Sequence, residues 1–126
     1  MTLIYERNFF MKKKIFVGLL VLFCLTSVLF AAPNAANVVS RYESVAKEFT
    51  NLANKVSKNP SLIESYDFQT ELYELQEKVN SVAVDAQYLD YEKVTENQVN
   101  RILEATRKIQ QAEVKINTAA QKYLNQ

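Results

Sequence analysis

VVSRYESVAKEFTNLANKV, running from Val38 to Val56, decides the fold. Its apolar residues Val38, Tyr42, Val45, Phe49, Leu52 and Val56 step by four, three, four, three and four, an unbroken heptad seam. No two-residue alternation of the kind a half-buried strand requires competes with it. The stretch therefore predicts an amphipathic helix, and such a helix must bury its stripe against other helices.

Downstream, the pattern restarts twice. After Asn59-Pro60, Ser61 and Glu64 have the S-x-x-E spacing of a capping box. The seam that follows is Phe68, Leu72, Leu75, Val79, Val82, Ala86 and Leu89, and its rhythm fails where Lys93 takes the next apolar place. Thr95 and Gln98 then form a T-x-x-Q box, with Val94 and Val99 placed as a hydrophobic staple around it. A third seam runs through Val99, Ile102, Thr106, Ile109, Glu113, Ile116, Ala120 and Tyr123, diluted at Thr106, Glu113 and Ala120. Such dilution fits either a more exposed helix or a self-association face that tolerates polar register setters.

The expected fold is all-α: three helices near 35–57, 61–92 and 95–125 in a single helical coiled-coil domain from residue 32 to residue 126. At about 1.5 Å per residue the first spans roughly 34 Å and the others roughly 45 to 50 Å. This mismatch predicts an antiparallel helical hairpin of the second and third helices with the first packed along part of it, an elongated three-helix coiled-coil bundle. The alternative is a nearly continuous second and third helix, since no glycine or proline compels a turn near Asp90 to Thr95.

Upstream, Lys12, Lys13 and Lys14 precede the apolar run IFVGLLVLFCLTSVLF, Ile15 to Phe30, and small residues follow at Ala31 and Ala32. This is the form of a cleaved signal peptide covering residues 1–31, and it is short for a membrane span of about 20 residues. Met11, followed directly by the lysines, is a more natural start than Met1. Phe23 occupies the place before Cys24 where a bacterial lipid-attachment site has a small residue, so lipoprotein is the lesser reading. An uncleaved leader would instead anchor the chain, which makes the leader the one expected route to a membrane. The chain is thus expected to be exported, to the periplasm, the cell surface or the medium.

Beyond the leader the composition is restrictive. From Ala32 onward eleven Lys and Arg face thirteen Asp and Glu, a net charge of −2. That balance offers no basic face of the kind a phosphate backbone needs, so nucleic acid is not an expected partner. The one cysteine and the one glycine, Cys24 and Gly18, both lie in the leader, and histidine is absent. Phosphate-cradling loops, Cys/His nucleophile systems, the usual zinc sites and disulfide staples are all unavailable to such a chain. The carboxylate pairs Glu71 with Glu74 and Glu92 with Glu96 sit among lysines, as on a solvated helix face, rather than in the apolar pocket that acid/base work requires. No enzyme, cofactor or metal site is expected.

One tract invites recognition. DAQYLDYEKVTEN, Asp85 to Asn97, brings Tyr88, Leu89 and Tyr91 to the predicted hairpin tip. Tyrosine is enriched at recognition surfaces, which makes these three residues candidates for partner binding. The plainer reading has Leu89 closing the core while the tyrosines cover it.

Together, a signal peptide ending in Phe-Ala-Ala, a small-residue lead from Pro33 to Asn37, an amphipathic first helix carrying NLAN (Asn51 to Asn54) and a glycine-free heptad chain resemble the FadA adhesin family of fusobacteria. The likeness is greatest over Ala36 to Lys55. It implies an exported helical hairpin that self-associates into a homo-oligomer or filament and binds a host-cell surface protein such as a cadherin. Leucine-rich contacts serve self-association in that family, and the matching seam positions here are Val38, Tyr42 and Val45. None is leucine, and Pro60 ends the first helix early, so a shorter member with altered assembly is implied. The same seam residues equally suit the core of a single chain. A contrasting reading is a periplasmic holdase chaperone of the Skp type or an envelope scaffold. Such holdases present basic arms and a β-rich trimerisation body, and this slightly acidic sequence has no strand pattern.

Overall fold

The computed structural model describes residues 34–126; the predicted leader and its cleavage site lie outside them. Three α-helices and one short 3₁₀ turn make up the described chain: α1 (Ala35–Lys58), the turn (Pro60–Glu64), α2 (Tyr66–Gln87) and α3 (Glu96–Leu124). The all-α expectation holds. Among the described residues, no helix is long and apolar enough to cross a membrane.

The directions follow from ion pairs and hydrogen bonds. Arg41 with Asp85, Glu48 with Lys78 and Lys55 with Glu71 run in opposite order along α1 and α2, so these two are antiparallel. Glu43 with Arg101 and Asn54 with Lys115 run in the same order, so α1 and α3 are parallel. The bundle is up, down, up, with α1 as its spine. The closest and longest packing joins α1 to α3, α1 to α2 comes next, and α2 and α3 scarcely approach each other. The hairpin of the second and third helices expected from their seams is thus not the tight pair.

Alanine explains the difference. Alongside the anticipated seam, α1 buries a second row at Val39, Ala46 and Ala53. On α3 the buried positions are Ala105, Ile109, Ala112, Ile116, Ala119 and Ala120. The true seam of α3 alternates isoleucine with alanine, through Ile102, Ala105, Ile109, Ala112, Ile116 and Ala119. Thr106 and Glu113, expected in that seam, lie one residue off it and are half-buried, and Val99 is 37% exposed. Methyl side chains on both helices let the two backbones approach closely. Larger residues, Phe49, Leu52, Leu72 and Ile116, fill the space among the three helices and are all but fully buried. Each contributes about 1.5–3 kcal/mol of apolar burial.

The connections also differ from the seam map. Pro60 disfavours helical backbone at Asn59, and α1 ends at Lys58. The Ser61–Glu64 capping box does not form. Ser61 donates to Asn59 Oδ1 at 2.7 Å, and the chain turns through Pro60–Glu64, which drives Ile63 into the core. The N-cap of α2 is Ser65, whose hydroxyl accepts from the Phe68 amide at 3.1 Å, so the helix begins five residues later than residue 61. At its other end α2 stops at Gln87, not near 92, because Leu89 folds inward to close the core. The Thr95–Gln98 box forms reciprocally, at 3.0 and 3.1 Å, and starts α3. Helices two and three are therefore separate. The last turns of α3, beyond the end of α1, are covered by the Pro60–Glu64 turn, with the Tyr123 hydroxyl donating to Glu64.

Two substitutions test this packing. Ala112→Leu, which inserts bulk into the buried alanine row facing α1, is expected to cost about 1–3 kcal/mol in urea unfolding, against no measurable change for Gln111→Leu on the exposed neighbouring position. Val45→Asp places a charge in the core and is expected to abolish the helical circular dichroism signal at 25 °C.

Candidate interaction surfaces

The seam residues singled out for self-association are inside the single chain. Val38, Tyr42 and Val45 are 0%, 8% and 5% exposed and belong to the one core cluster. Burial first, and then neighbouring Tyr91, raises the Tyr42 hydroxyl pKa above its ordinary value. Of the two places the sequence allowed these residues, the structure fills the intramolecular one.

The tip loop, residues 88–95, divides its three candidates. Leu89 is buried and caps the core, Tyr88 is half-buried, and Tyr91 is 64% exposed. The loop is a hydrogen-bonded turn. Asp90 Oδ1 accepts from the Glu92 amide at 3.2 Å, Asp90 O accepts from the Lys93 amide at 2.9 Å, and the Tyr91 hydroxyl reaches back to Ala86 O at 3.0 Å. Arg41, on α1, steadies the loop's entrance by pairing with Asp85 and donating to Ser81 Oγ at 3.0 Å. Tyr91 is thus an exposed aromatic whose hydroxyl is tied back to the end of α2. A partner would bury that ring at little cost in order.

Two grooves flank the exposed back of α1. The one between α1 and α2 is lined by Arg41, Ser44, Glu48, Glu74, Glu77 and Lys78. The other lies between α1 and α3 and encloses about 760 Å³. Its floor is the alanines Ala46, Ala53, Ala105 and Ala112, and its walls carry Lys47, Lys108 and Lys115. Both grooves are open and polar-walled. Among the described residues no group of three or more His, Cys, Asp or Glu is placed to hold a metal ion.

Sequence reasoning passed over two features here. The cations Arg101, Lys108, Lys115 and Lys122 recur every seven residues along α3, all exposed. Their period was readable, but attention to apolar seams hides a charged row beside one. The second feature is Glu113, noticed only as a gap in a seam. It is half-buried, and burial alone pushes its carboxyl pKa up to about 7. On α3 it lies one turn from both Ile109 and Ile116 and two turns from Ala120, all buried. On α2, the buried Nε2 of Gln76 has no hydrogen-bond partner among the described residues.

Set against known proteins, the chain matches no family model, no curated protein and no solved structure.

Glu113 supplies a pH test. Its folded-state pKa lies above the ordinary carboxyl value, so the neutral acid favours the fold below about pH 4.5, and that stability is lost as pH rises through about 7. Glu113→Gln is expected to be more stable than the native chain at pH 8 by about 1–2 kcal/mol, an amount kept small by its partial solvation. The difference should vanish at pH 4. Equal stability of the two proteins at pH 8 would refute the buried carboxyl.

Proposed function

We propose that this chain is an exported, non-catalytic adhesin whose helical bundle self-associates and engages a protein on another cell's surface. The observation that carries the reading is Tyr91, a largely exposed aromatic on a loop held rigid by its own hydrogen bonds and by Arg41. A rigid aromatic at the end of a stiff rod is what a protein-binding tip needs, because little conformational freedom is lost on contact.

Supporting features point the same way. The leader pattern favours export, and the resemblance of Ala36 to Lys55 to the FadA adhesins favours a host-cell surface protein, such as a cadherin, as the partner. Because Val38, Tyr42 and Val45 are core, self-association in this reading uses exposed surfaces rather than the first seam. The holdase design combines long arms with a β-rich body, and the described residues contain no strand. That contrast favours the adhesin reading over the chaperone.

Adhesion is measurable directly. Fluorescently labelled full chain at nanomolar concentration is expected to bind cultured epithelial cells saturably, and Tyr91→Ala to weaken that binding at least tenfold with helicity unchanged. Binding that is absent or never saturates would overturn the adhesin reading, whereas saturable binding indifferent to Tyr91 would move the contact away from the tip.

A further inference from the structure

The cation row of α3 is only partly answered within its own chain. In a parallel helix pair, charges flanking the seam normally meet opposite charges on the partner helix. Arg101 meets Glu43 of α1, but Lys115 reaches only the neutral Asn54 Oδ1, at 2.6 Å, and Lys108 has no ion pair among the described residues. Lys47 enters the same groove from α1, also without one. The two carboxylates in that groove, Glu43 and Glu104, are already engaged by Arg101 and Arg107. Among the described residues none of the three lysines around the alanine floor has an ion pair, and Lys108 shares only the longer-range field of Glu43 and Glu104, whose carboxyl pKa values it helps to lower.

The opposite surplus lies on α2. This helix carries Asp67, Glu71, Glu74, Glu77 and Asp85 against one lysine, Lys78. Glu71 and Asp85 are paired with Lys55 and Arg41 of α1, while Asp67 and Glu74 have no ion pair among the described residues. Both stand on the exposed side of the helix, each directly after a tyrosine. Tyr66 is 80% exposed and Tyr73 is 60% exposed. The dipeptides Tyr66-Asp67 and Tyr73-Glu74 therefore repeat one aromatic-acid unit seven residues apart, about 10.5 Å along the helix. Lys108 and Lys115 are separated by the same seven residues.

We propose that the exposed face of α2 docks into the α1–α3 groove of a second copy of this chain. Asp67 and Glu74 meet Lys108 and Lys115 there, while Tyr66 and Tyr73 lie over the alanine floor. Two observations select this occupant: the complementary charge and the shared period of the two rows. The two surfaces belong to different helices, so the contact is heterologous. Each added copy leaves one groove and one α2 face unused, and growth continues unless the rotation between copies closes a ring. This assigns the surface for the self-association part of the proposed function and does not depend on the tip.

Sedimentation of the full chain tests it, after expression with its leader in an exporting bacterial host and purification from whichever fraction holds it. At 50 mM salt the mean mass should rise with protein concentration, and at 500 mM it should fall towards that of one chain. Lys108→Glu with Lys115→Glu, and separately Asp67→Lys with Glu74→Lys, should each weaken association at least tenfold with helicity retained. An equimolar mixture of the two variants should regain it, because acidic and basic faces are then again available to each other. The proposal is overturned by a native chain that stays single at low salt, by variants that associate as the native chain does, or by a mixture that remains dispersed. It is also overturned if the groove captures an anionic polymer such as heparin while the chain remains a monomer. Cell binding at nanomolar concentration is read separately, so failure of this contact and failure of the adhesin reading are distinguishable.

Discussion

The rest of the structure depends on the close approach of α1 to α3. Alanines on both helices permit it, and it makes α1 the spine, buried along one side by α3 and along another by α2. Helices with larger residues throughout would have to stand farther apart. A more even triangle of three helices is the natural alternative. Here the approach of α1 to α3 leaves α2 and α3 loosely apposed, and each of those two helices carries a polar group in dry surroundings, Gln76 on one and Glu113 on the other.

Much of this was legible in the residues, and the limits are instructive. The heptad of α1 identified its core positions because large apolar residues at strict spacing have only one good place to go. The Thr95–Gln98 box located the start of α3 because its two hydrogen bonds are local and need no tertiary help. The Ser61–Glu64 box failed for a tertiary reason. Burying Ile63 through a 3₁₀ turn hands the capping role to Ser65, and the same spacing of residues carries no sign of that. In α3, Ala105 and Thr106 were equally eligible for the seam. Alanine has little hydrophobicity to announce itself, and what selects it is the distance to α1, a quantity no single helix encodes.

Candidate surfaces were harder to read than the core. Among the tip residues, Leu89 was legible as the last position of its seam and does close the bundle, whereas nothing in the spacing told the half-buried Tyr88 from Tyr91, which faces solvent. Nor could net charge reveal that acidic and basic residues are sorted onto different helices. A chain with a small overall charge still presents strong local fields when its carboxylates and lysines are segregated, and those fields govern encounter more than the total does.

The up, down, up order has one further consequence. Asn34, which caps the start of α1, lies at the same end of the bundle as the loop carrying Tyr91, while the Pro60–Glu64 turn and the last turn of α3 lie at the other. Were the chain held to a surface through the residues before Asn34, the tyrosine would point back towards its own moorings, and the far end would stand about 36 Å out.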